Sequence, residues 1–415
     1  MVCDWMKNDL GKRAIELHRK MRGKLEVHGK VGAKSSENLS LAYTPGVADV
    51  CMEIARDPSA AYDLTLKWNA VAVVSDGSRV LGLGNIGPLA GLPVMEGKAL
   101  LFKEYAAVDA FPICLSCHSA DEIVAAVKAI SPTFGGINLE DIESPKCFEV
   151  EERLKRELDI PVFHDDQHGT GVVVLAGLLN SLSFLGKKKQ QAKIVVAGAG
   201  AAGFGITKML FEDGFSNIIV CDSKGILSKA NSRDGHKAKL AAMTNREGKE
   251  GTLSDALVGA DAFIGASSPN IVSEAMVKSM ASSPIIFSLS NPVPEIDSAL
   301  AKKAGAVIVG TARADLPNQI NNVLGFPGIF RGALLVRASS ITDSMKVAAA
   351  HALAGVLAND EITAAQVVPL PFDSRVVPTI ATAVAKEAMI CKVAKFARTD
   401  SQIRAELVSL GLLEA

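Results

Sequence analysis

Apolar residues along the chain form two alternating kinds of segment. Short continuous runs of Val, Ile, Ala and Phe, as in 70–74, 194–197 and 285–287, are typical of strands that are buried on both faces. Between them lie longer segments in which apolar residues recur every three or four positions, the spacing of helices with one buried face. Because the two kinds alternate, the pattern predicts parallel sheets covered by helices, which is an α/β fold.

The most informative segment, 194–203, joins a short apolar strand to a G-x-G-x-x-G turn and leads into a helical pattern. In such a turn the first glycine permits the tight bend, the second lets the backbone approach a pyrophosphate, and the third lets the helix pack closely on the strand. A second predicted strand, 217–221, ends about 20 residues beyond the last glycine, where a Rossmann fold places the carboxylate that binds the adenosine ribose. We therefore predict a dinucleotide site formed by Gly198, Gly200, Ala201, Ala202, Gly203 and Asp222.

Further strand-like segments and two long helical patterns follow this motif, at 261–265, 285–290, 306–310, 333–358 and 379–397. We expect residues 1–165 to form an N-terminal α/β domain that carries the substrate and catalytic groups. Residues 166–415 would then form a Rossmann-type cofactor domain, with a parallel sheet and closing C-terminal helices.

Three of the predicted helices precede the dinucleotide motif. A helical pattern over 8–30 has apolar residues on one face and basic residues on the other, which suits a surface or a contact between subunits. The helix that carries Lys98 is predicted to begin near residue 94, because two prolines interrupt the segment before it. A long apolar helix is predicted over 172–185, after two glycines.

The 415 residues are 48% hydrophobic and carry a formal net charge of −1, so nothing favours nucleic acid or an anionic membrane as a partner. No apolar run is long enough to cross a bilayer, and the first residues lack the apolar region of a secretion signal. The cysteines are scattered and odd in number, which favours reduced thiols over a disulfide framework. We therefore expect a cytoplasmic protein.

Two pairs of neighbouring acids, Glu140-Asp141 and Asp165-Asp166, follow predicted strands. Each pair alone is more simply explained as helix caps or solvated turn residues. Their common position at strand ends, in a chain with a dinucleotide site, favours a site for Mg²⁺ or Mn²⁺, because such hard cations prefer carboxylate oxygens.

His164 and His168 have the i, i+4 spacing by which two helical histidines bind zinc in metalloproteases. That motif needs a glutamate after the first histidine, whereas Asp165 follows here, and two glycines interrupt the segment. A zinc-dependent hydrolase is the alternative from another enzyme class. A catalytically inactive nucleotide-sensing protein is the alternative from outside the enzymes.

Six further motifs extend along nearly the whole chain: YTPGVA at 43–48, RVLGLGNIG at 79–87, MEGK at 95–98, DDQHGT at 165–170, SNP at 290–292 and NQINNVLGFPG at 318–328. Together with the Rossmann segment, these motifs resemble those of malic enzymes in their compact bacterial form. The resemblance implies oxidative decarboxylation of L-malate to pyruvate and CO₂, with NAD(P)⁺ and a divalent cation. It also implies a homodimer or a larger homo-oligomer.

By this resemblance Lys98 is the general base that removes the proton of the malate C2 hydroxyl, and Tyr43 is the general acid that protonates C3 after CO₂ departs. A lysine base must be neutral, so the pKa of Lys98 would have to fall from about 10.4, as burial and a nearby cation would make it do. Asp165 is expected to support Lys98 or the geometry of the metal ligands.

The resemblance also implies the binding residues. Asp222 would bind the ribose 2′-hydroxyl and repel a 2′-phosphate, which favours NAD⁺, whereas Ser223 and Lys224 suit the phosphate of NADP⁺; we expect NAD⁺, with NADP⁺ as the alternative. Asn291 would serve both the substrate and the nicotinamide ribose. The expected metal ligands are Glu140, Asp141 and Asp166, and the expected substrate-binding residues are Arg79, Asn291 and Asn322.

Overall fold

The computed structural model describes residues 9–232, 235–313 and 315–414. Its first part is a run of helices on the surface, in which α1, α2 and α3 have no buried residue. The apolar face predicted for α1 is therefore exposed, with Ile15 at 53%, Leu17 at 58% and Met21 at 62%. These helices are α1 (Asp9–Met21), α2 (Ser36–Ala42), α3 (Val47–Arg56) and α4 (Ala61–Leu64).

A four-stranded parallel sheet follows, in the order β2-β1-β3-β4. Its two inner strands are buried along their whole length, as the continuous apolar runs predict. The strand order reverses between β1 and β3, so the loops at their carboxyl ends diverge and leave a crevice. The elements are β1 (Ala70–Ser75), α5 (Gly87–Ala106), β2 (Asp109–Cys114), α6 (Ala120–Ile130), β3 (Gly136–Leu139), α7 (Lys146–Glu157) and β4 (Val162–His164).

Helix α5 begins at Gly87, so the prediction of a start near residue 94 is wrong. Pro88 lies in the first turn, where a helical N–H has no partner in any case. Pro93 lies inside the helix and removes the donor for the carbonyl of Leu89. Leu89 is 83% exposed and lies on the solvent side of the helix, where water can replace that donor.

The next helix, α8 (Asp165–Phe184), begins directly after β4, earlier than the predicted 172–185. Gly169 and Gly171 lie inside it rather than before it. Their role is close packing: a Cβ atom on Gly171 would lie 2.9 Å from the carbonyl oxygen of Gly205 on the neighbouring helix. The two acids that begin α8 are therefore held against the cofactor-binding half of the chain.

The second sheet has the order β10-β9-β8-β5-β6-β7 and is parallel except for β7, which pairs antiparallel with β6. This arrangement confirms the prediction of a Rossmann-type domain. Its elements are β5 (Lys193–Ala197), α9 (Ala201–Glu212), β6 (Asn217–Asp222), β7 (Gly225–Ile226), α10 (Gly235–Met243), α11 (Leu253–Leu257), β8 (Ala262–Gly265), α12 (Glu274–Lys278), β9 (Ile285–Ser288), α13 (Ser298–Lys303) and β10 (Ile308–Thr311).

Four helices close the fold, and the prediction of one helix over 333–358 is wrong. The chain breaks at Arg337, which has a left-handed φ of 48°, and a new helix starts where Thr342 caps it. The four are α14 (Phe326–Leu335), α15 (Asp343–Ala354), α16 (Val376–Ile390) and α17 (Asp400–Ser409).

Every residue of α14 is buried. None of the helices in the described ranges is long and apolar enough to span a bilayer. The proposed division at residue 165/166 falls at the start of α8 and stays a prediction.

We expect Gly205→Ala to lower the free energy of unfolding by about 1–3 kcal/mol, the usual cost of overpacking. A Cβ atom on Gly205 would lie 1.9 Å from the carbonyl oxygen of Gln167. Because Gly205 lies in α9 and Gln167 in α8, the two helices would have to move apart to accommodate it. Gly97→Ala is the control, because its Cβ atom would meet nothing within 4 Å and alanine favours the helix. Urea unfolding followed by circular dichroism measures both, and a Gly205→Ala protein as stable as wild type would contradict the packing argument.

Candidate active site

The carboxyl ends of the strands in both sheets open into one cleft of about 860 Å³. A second cavity of about 520 Å³ adjoins it and shares Arg79, Asp166, Ala202 and Asn322 with it. The cleft thus brings together side chains that are far apart in sequence. The predicted residues that line one or both cavities are Arg79, Lys98, Glu140, Asp141, Asp166, Gly200, Ala201, Ala202, Asn291 and Asn322.

Lys98 projects from the middle of α5 and is only 7% exposed. Its Nζ lies 2.5 Å from Asp165 Oδ2 and 2.9 Å from Glu140 Oε1. The same atom lies 4.3 Å from the centre of the Phe326 ring. Lys98 is therefore a buried cation that two carboxylates and one aromatic face hold in place.

The pKa of Lys98 differs from the expectation. Burial acts to lower this pKa, but the carboxylates of Asp165 and Glu140 outweigh burial and raise it above the ordinary lysine value. The prediction that the pKa of Lys98 is lowered is therefore wrong for the arrangement in which Asp165 and Glu140 both face its ammonium group.

The acids around Lys98 repel one another. Burial, together with the charges of Asp166 and Glu140, raises the pKa of Asp141 to about 9. Burial raises the pKa of Asp165 to about 8 although Lys98 opposes it, and Glu140 adds to the rise. One ammonium group therefore does not neutralise the acids that surround it.

The backbone fixes these acids close together. Asp141 has a left-handed φ of 54°, and its N–H donates to Asp166 Oδ2 at 2.9 Å. Its carbonyl accepts the N–H of Arg79 at 3.0 Å, so the substrate-binding arginine of the prediction is tied to the same turn. Asn138 donates to Glu140 at 2.9 Å and orients that carboxylate.

The acids fit a divalent cation by charge and by chemistry. Asp141 Oδ2 and Asp165 Oδ1 are buried oxygens without a hydrogen-bond partner, and an unpaired buried carboxylate oxygen is costly unless a cation or donor satisfies it. Within the described residues, no group of three or more His, Cys, Asp and Glu side chains is arranged so that it could hold a metal ion as it stands. The site is thus a cluster of hard oxygen donors rather than a preformed cage.

The Rossmann turn has the geometry that its glycines predict. Gly198 has a φ of 118°, and a Cβ atom on Gly203 would lie 1.9 Å from the Gly198 carbonyl oxygen. A Cβ atom on Gly200 would meet nothing within 4 Å, which leaves the N-terminus of α9 open to the cleft. That opening is the place for a pyrophosphate.

Asp222 lies at the end of β6, and both of its carboxylate oxygens are occupied. Oδ1 accepts the N–H of Lys224 at 2.8 Å, and Oδ2 lies 2.5 Å from Lys237 Nζ. Ser223 is exposed beside it. Sequence reasoning missed Lys237, because its distance along the chain from Asp222 gives no local signal.

Of the predicted catalytic side chains, Asp165 is fully buried against Lys98 and lines neither cavity, whereas Tyr43 lies on the surface. It is 66% exposed and lines neither cavity. It ends α2, within the surface helices that have no buried residue. A single chain as described therefore brings Lys98 and Asp165 together but not Tyr43.

Sequence reasoning also missed Glu295, which holds the loops after β8 and β9. It is fully buried and accepts the N–H of Ser267 at 2.9 Å and of Ser290 at 3.0 Å. Both loops line the second cavity. The only sequence signal is that Glu295 closely follows the Ser-Asn-Pro motif.

The histidines do not form a zinc pair. His168 Nε2 lies 2.7 Å from Glu151 Oε1, and its Nδ1 lies 3.1 Å from Lys346 Nζ, so both ring nitrogens are used. His164 ends β4 instead of sharing a helix face with His168. Burial lowers the pKa of His168 to about 3 despite the opposing charge of Glu151. These contacts favour a structural role for His168.

Known proteins resemble the chain along nearly its whole length. Residues 22–155 match the family model for the malic enzyme N-terminal domain, and 167–389 match that for the malic enzyme NAD binding domain. A bifunctional malic/malolactic enzyme of Bacillus subtilis is 52% identical over 97% of this chain and 99% of its own length. An NAD-dependent malic enzyme of Geobacillus stearothermophilus is 54% identical over 90% of this chain and 78% of its own length.

Solved structures agree. The crystal structure of malic enzyme from Pyrococcus horikoshii has a TM-score of 0.91 at 49% identity, covering 97% of this chain and 95% of that chain. That of NAD-dependent malic enzyme from Thermotoga maritima has a TM-score of 0.87 at 50% identity, covering 90% and 98%. The chain therefore belongs to the malic enzyme family, the NAD(P)-dependent oxidoreductases that decarboxylate malate oxidatively.

Proposed function

We propose that the cleft binds L-malate, NAD(P)⁺ and one Mg²⁺ or Mn²⁺ ion, and that Lys98 is the general base for oxidation of the C2 hydroxyl. The observation that supports this most is the position of Lys98 beside the acid cluster, in the cleft that also contains the open N-terminus of α9. NAD(P)⁺ would accept the hydride of C2, and the cation would polarise the C2 oxygen and stabilise the enolate left by CO₂ loss.

Lys98 takes up the hydroxyl proton as the hydride leaves C2, so it must first give up its own extra proton. Glu140 is one of the proposed metal ligands, and its Oε1 also lies 2.9 Å from Lys98 Nζ. If Glu140 held the cation instead of Lys98, Lys98 would lose one of the carboxylates that raise its pKa, while burial would still lower that pKa. Asp165 keeps its contact with Lys98 and fixes the direction in which Nζ points.

Arg79, Asn322 and Asn291 would bind the substrate and the nicotinamide ribose. Arg79 and Asn322 line both cavities, so they face the boundary between the two binding volumes. A guanidinium group there can bind a malate carboxylate through two parallel hydrogen bonds. Glu140, Asp141 and Asp166 would be the metal ligands, because their oxygens are the hard donors next to this boundary.

The Tyr43 hydroxyl would enter the active-site cleft of a second copy of this chain rather than the cleft of its own chain. Its own cleft does not include it, and helices α1 to α3 around it leave large apolar side chains in water. Exposed apolar surface of this extent is typical of a subunit interface. We therefore propose a homodimer or larger homo-oligomer in which the partner chain places the Tyr43 hydroxyl beside C3, where it donates the final proton.

The purified protein is expected to reduce NAD⁺ or NADP⁺ with malate and Mn²⁺, and to form pyruvate in equal amount. Absorbance at 340 nm and a pyruvate assay measure this, with and without EDTA. We expect EDTA to abolish turnover and excess Mn²⁺ to restore it, because the acid cluster lacks a counter-charge. Oxaloacetate as the only carbon product would identify a plain malate dehydrogenase, and cofactor binding without turnover would identify a nucleotide sensor.

Lys98→Ala and Tyr43→Phe should each lower kcat by at least about 10²-fold, the usual contribution of a positioned acid or base. When the two variants are co-expressed, about one quarter of wild-type activity should return, because half of the dimers are mixed and each has one intact site. Lys103→Ala, exposed on the same helix as Lys98, is the control and should leave turnover unchanged. No recovery in the isolated mixed dimer would contradict the placement of Tyr43 in the partner's cleft.

Asp222→Ala should shift cofactor use towards NADP⁺ by about tenfold or more in the ratio of kcat/KM values, about 1.4 kcal/mol. The substitution removes the carboxylate that repels a 2′-phosphate, and it frees the Lys237 ammonium group and the backbone N–H of Lys224 to bind that phosphate. Lys237→Ala is the matched variant and should shift the ratio towards NAD⁺. Ratios that stay the same in both variants would show that this pair does not set the cofactor preference.

A further inference from the structure

Glu151 is a buried carboxylate that takes no part in the proposed chemistry. Its helix, α7, buries one face, and the buried residues Cys147, Val150, Glu151 and Leu154 follow helical spacing. Glu151 is only 5% exposed, among neighbours on that face that are apolar. A carboxylate in such a position is costly unless donors satisfy it, so its partners indicate its role.

Three of the hydrogen bonds that Glu151 accepts come from the segment that joins β4 to α8. Its Oε1 accepts the backbone N–H of His164 at 3.3 Å and lies 2.7 Å from His168 Nε2. Its Oε2 accepts Nε2 of Gln167 at 3.4 Å. Lys155, one turn further along α7, places its Nζ 2.6 Å from Oε1. A single side chain of α7 therefore holds the segment at three points.

The three donors flank the two acids that begin α8. One donor directly precedes Asp165 and Asp166, and the other two directly follow them. Asp165 contacts Lys98 at 2.5 Å, and Asp166 accepts the N–H of Asp141 at 2.9 Å. The backbone that carries both acids therefore cannot shift relative to α7 without breaking a buried hydrogen bond, which is costly.

The ring of His168 is also held from its other side. Lys346 Nζ lies 3.1 Å from His168 Nδ1 and 2.5 Å from Asp343 Oδ1. Because an ammonium group only donates, Nδ1 is the acceptor and Nε2 carries the proton that is donated to Glu151. Asp343 also pairs with Lys208 of α9 at 2.7 Å. The ring therefore cannot turn over without breaking both of its bonds.

We propose that Glu151 is a positioning residue that sets the places of Asp165 and Asp166, and thereby the affinity of the site for its divalent cation. The inference rests on the proposed function, in which Asp166 is a metal ligand and Asp165 the partner of Lys98. Groups that orient metal ligands from behind change metal affinity by about 10- to 100-fold when they are replaced. Glu151 acts through the chain around the acids, since it lines neither cavity of the site.

Two conservative variants separate the reach of this side chain from its charge. Glu151→Gln keeps the length, and its one oxygen can replace Oε1, the atom that faces both His164 and His168. Glu151→Asp keeps the charge but is one methylene shorter, so its oxygens fall short of those donors. We expect the Mn²⁺ dissociation constant to rise about tenfold or more in Glu151→Asp and to stay within about threefold of wild type in Glu151→Gln. Electron paramagnetic resonance of the free ion measures it.

Glu152→Asp is the matched control. Glu152 is the next residue of α7, its side chain is 60% exposed, and its ion-pair partner is Lys239 of α10 rather than a residue of the β4–α8 segment. Its Mn²⁺ affinity should equal that of wild type. Isothermal titration calorimetry should show the same NAD⁺ affinity in all variants, and circular dichroism checks that they are folded. A role in stability alone would lower the melting temperature and leave the Mn²⁺ affinity of the folded protein unchanged.

Hydrogen exchange of the metal-free protein tests the same contacts without the cation. The amides of 164–168 should exchange faster by about tenfold or more in Glu151→Asp, because the segment loses its buried acceptor. Exchange in Glu151→Gln and in Glu152→Asp should remain close to wild type. If Glu151→Asp does not fold, Gln167→Met removes a single one of the three bonds and should still weaken Mn²⁺ binding by about threefold.

A wild-type Mn²⁺ dissociation constant in folded Glu151→Asp would overturn the proposal. A larger loss of affinity in Glu151→Gln than in Glu151→Asp would overturn it too, as would unchanged Mn²⁺ affinity in Gln167→Met. If wild type itself bound no Mn²⁺, the proposed metal site would fail. Hydrogen exchange would then decide the positioning role separately: faster exchange of 164–168 in Glu151→Asp would support it, and unchanged exchange would refute it.

Discussion

A buried ammonium group held between two carboxylates is the interaction on which the candidate site depends. Lys98 comes from α5, Glu140 from the end of β3 and Asp165 from the start of α8, so one ion cluster joins three elements of the fold. Removing charges from water costs several kcal/mol for each ion, and only close pairing offsets that cost. The turns after β3 and β4 are therefore restricted to arrangements that keep the lysine paired.

The same cluster has more negative than positive charge. Glu140, Asp141, Asp165 and Asp166 lie near a single ammonium group, and burial together with the charges of Asp166 and Glu140 raises the pKa of Asp141 to about 9. Asp141 is also held in a left-handed conformation, which is unfavourable for a residue with a side chain. A cluster that is repulsive and locally strained gains more from a divalent cation than a neutral surface would. The fold thus keeps the site in a state that favours an added cation.

Much of the fold could be predicted because its signals are local. The strand, glycine turn and helix at 194–203 form a self-contained unit, and the buried strands are continuous apolar runs. Helix starts failed where tertiary packing decided the outcome: Gly171 lies inside α8 because α9 approaches it, not because it ends a helix. Pro93 is tolerated in α5 because the affected turn faces water.

In the candidate site, too, the residues with local sequence signals could be predicted and those defined by tertiary contacts could not. Motifs identified Lys98, the acids and the Rossmann turn, and the structure places these groups around one cleft. Residues that act on the cleft from another element carry no local signal; Lys237 and Glu295 are examples, since each is defined only by the atom it contacts. Tyr43 shows the limit in the other direction, because its motif marks the residue and yet the structure leaves it exposed and outside both cavities of its own chain.

Helix α14 explains why catalytic geometry and the stability of the core are difficult to separate in this molecule. Its residues are all buried, and Phe326 at its start lies against Lys98 while Arg331 bonds the end of α5. Helix α14 thus contacts α5 at two points. On another side of α14, Gly328 and Gly332 let α16 pack directly against it. A displacement of α14 would therefore move the Phe326 ring that lies against Lys98 Nζ. Substitutions along this helix are therefore expected to affect the cleft even where they touch none of its residues.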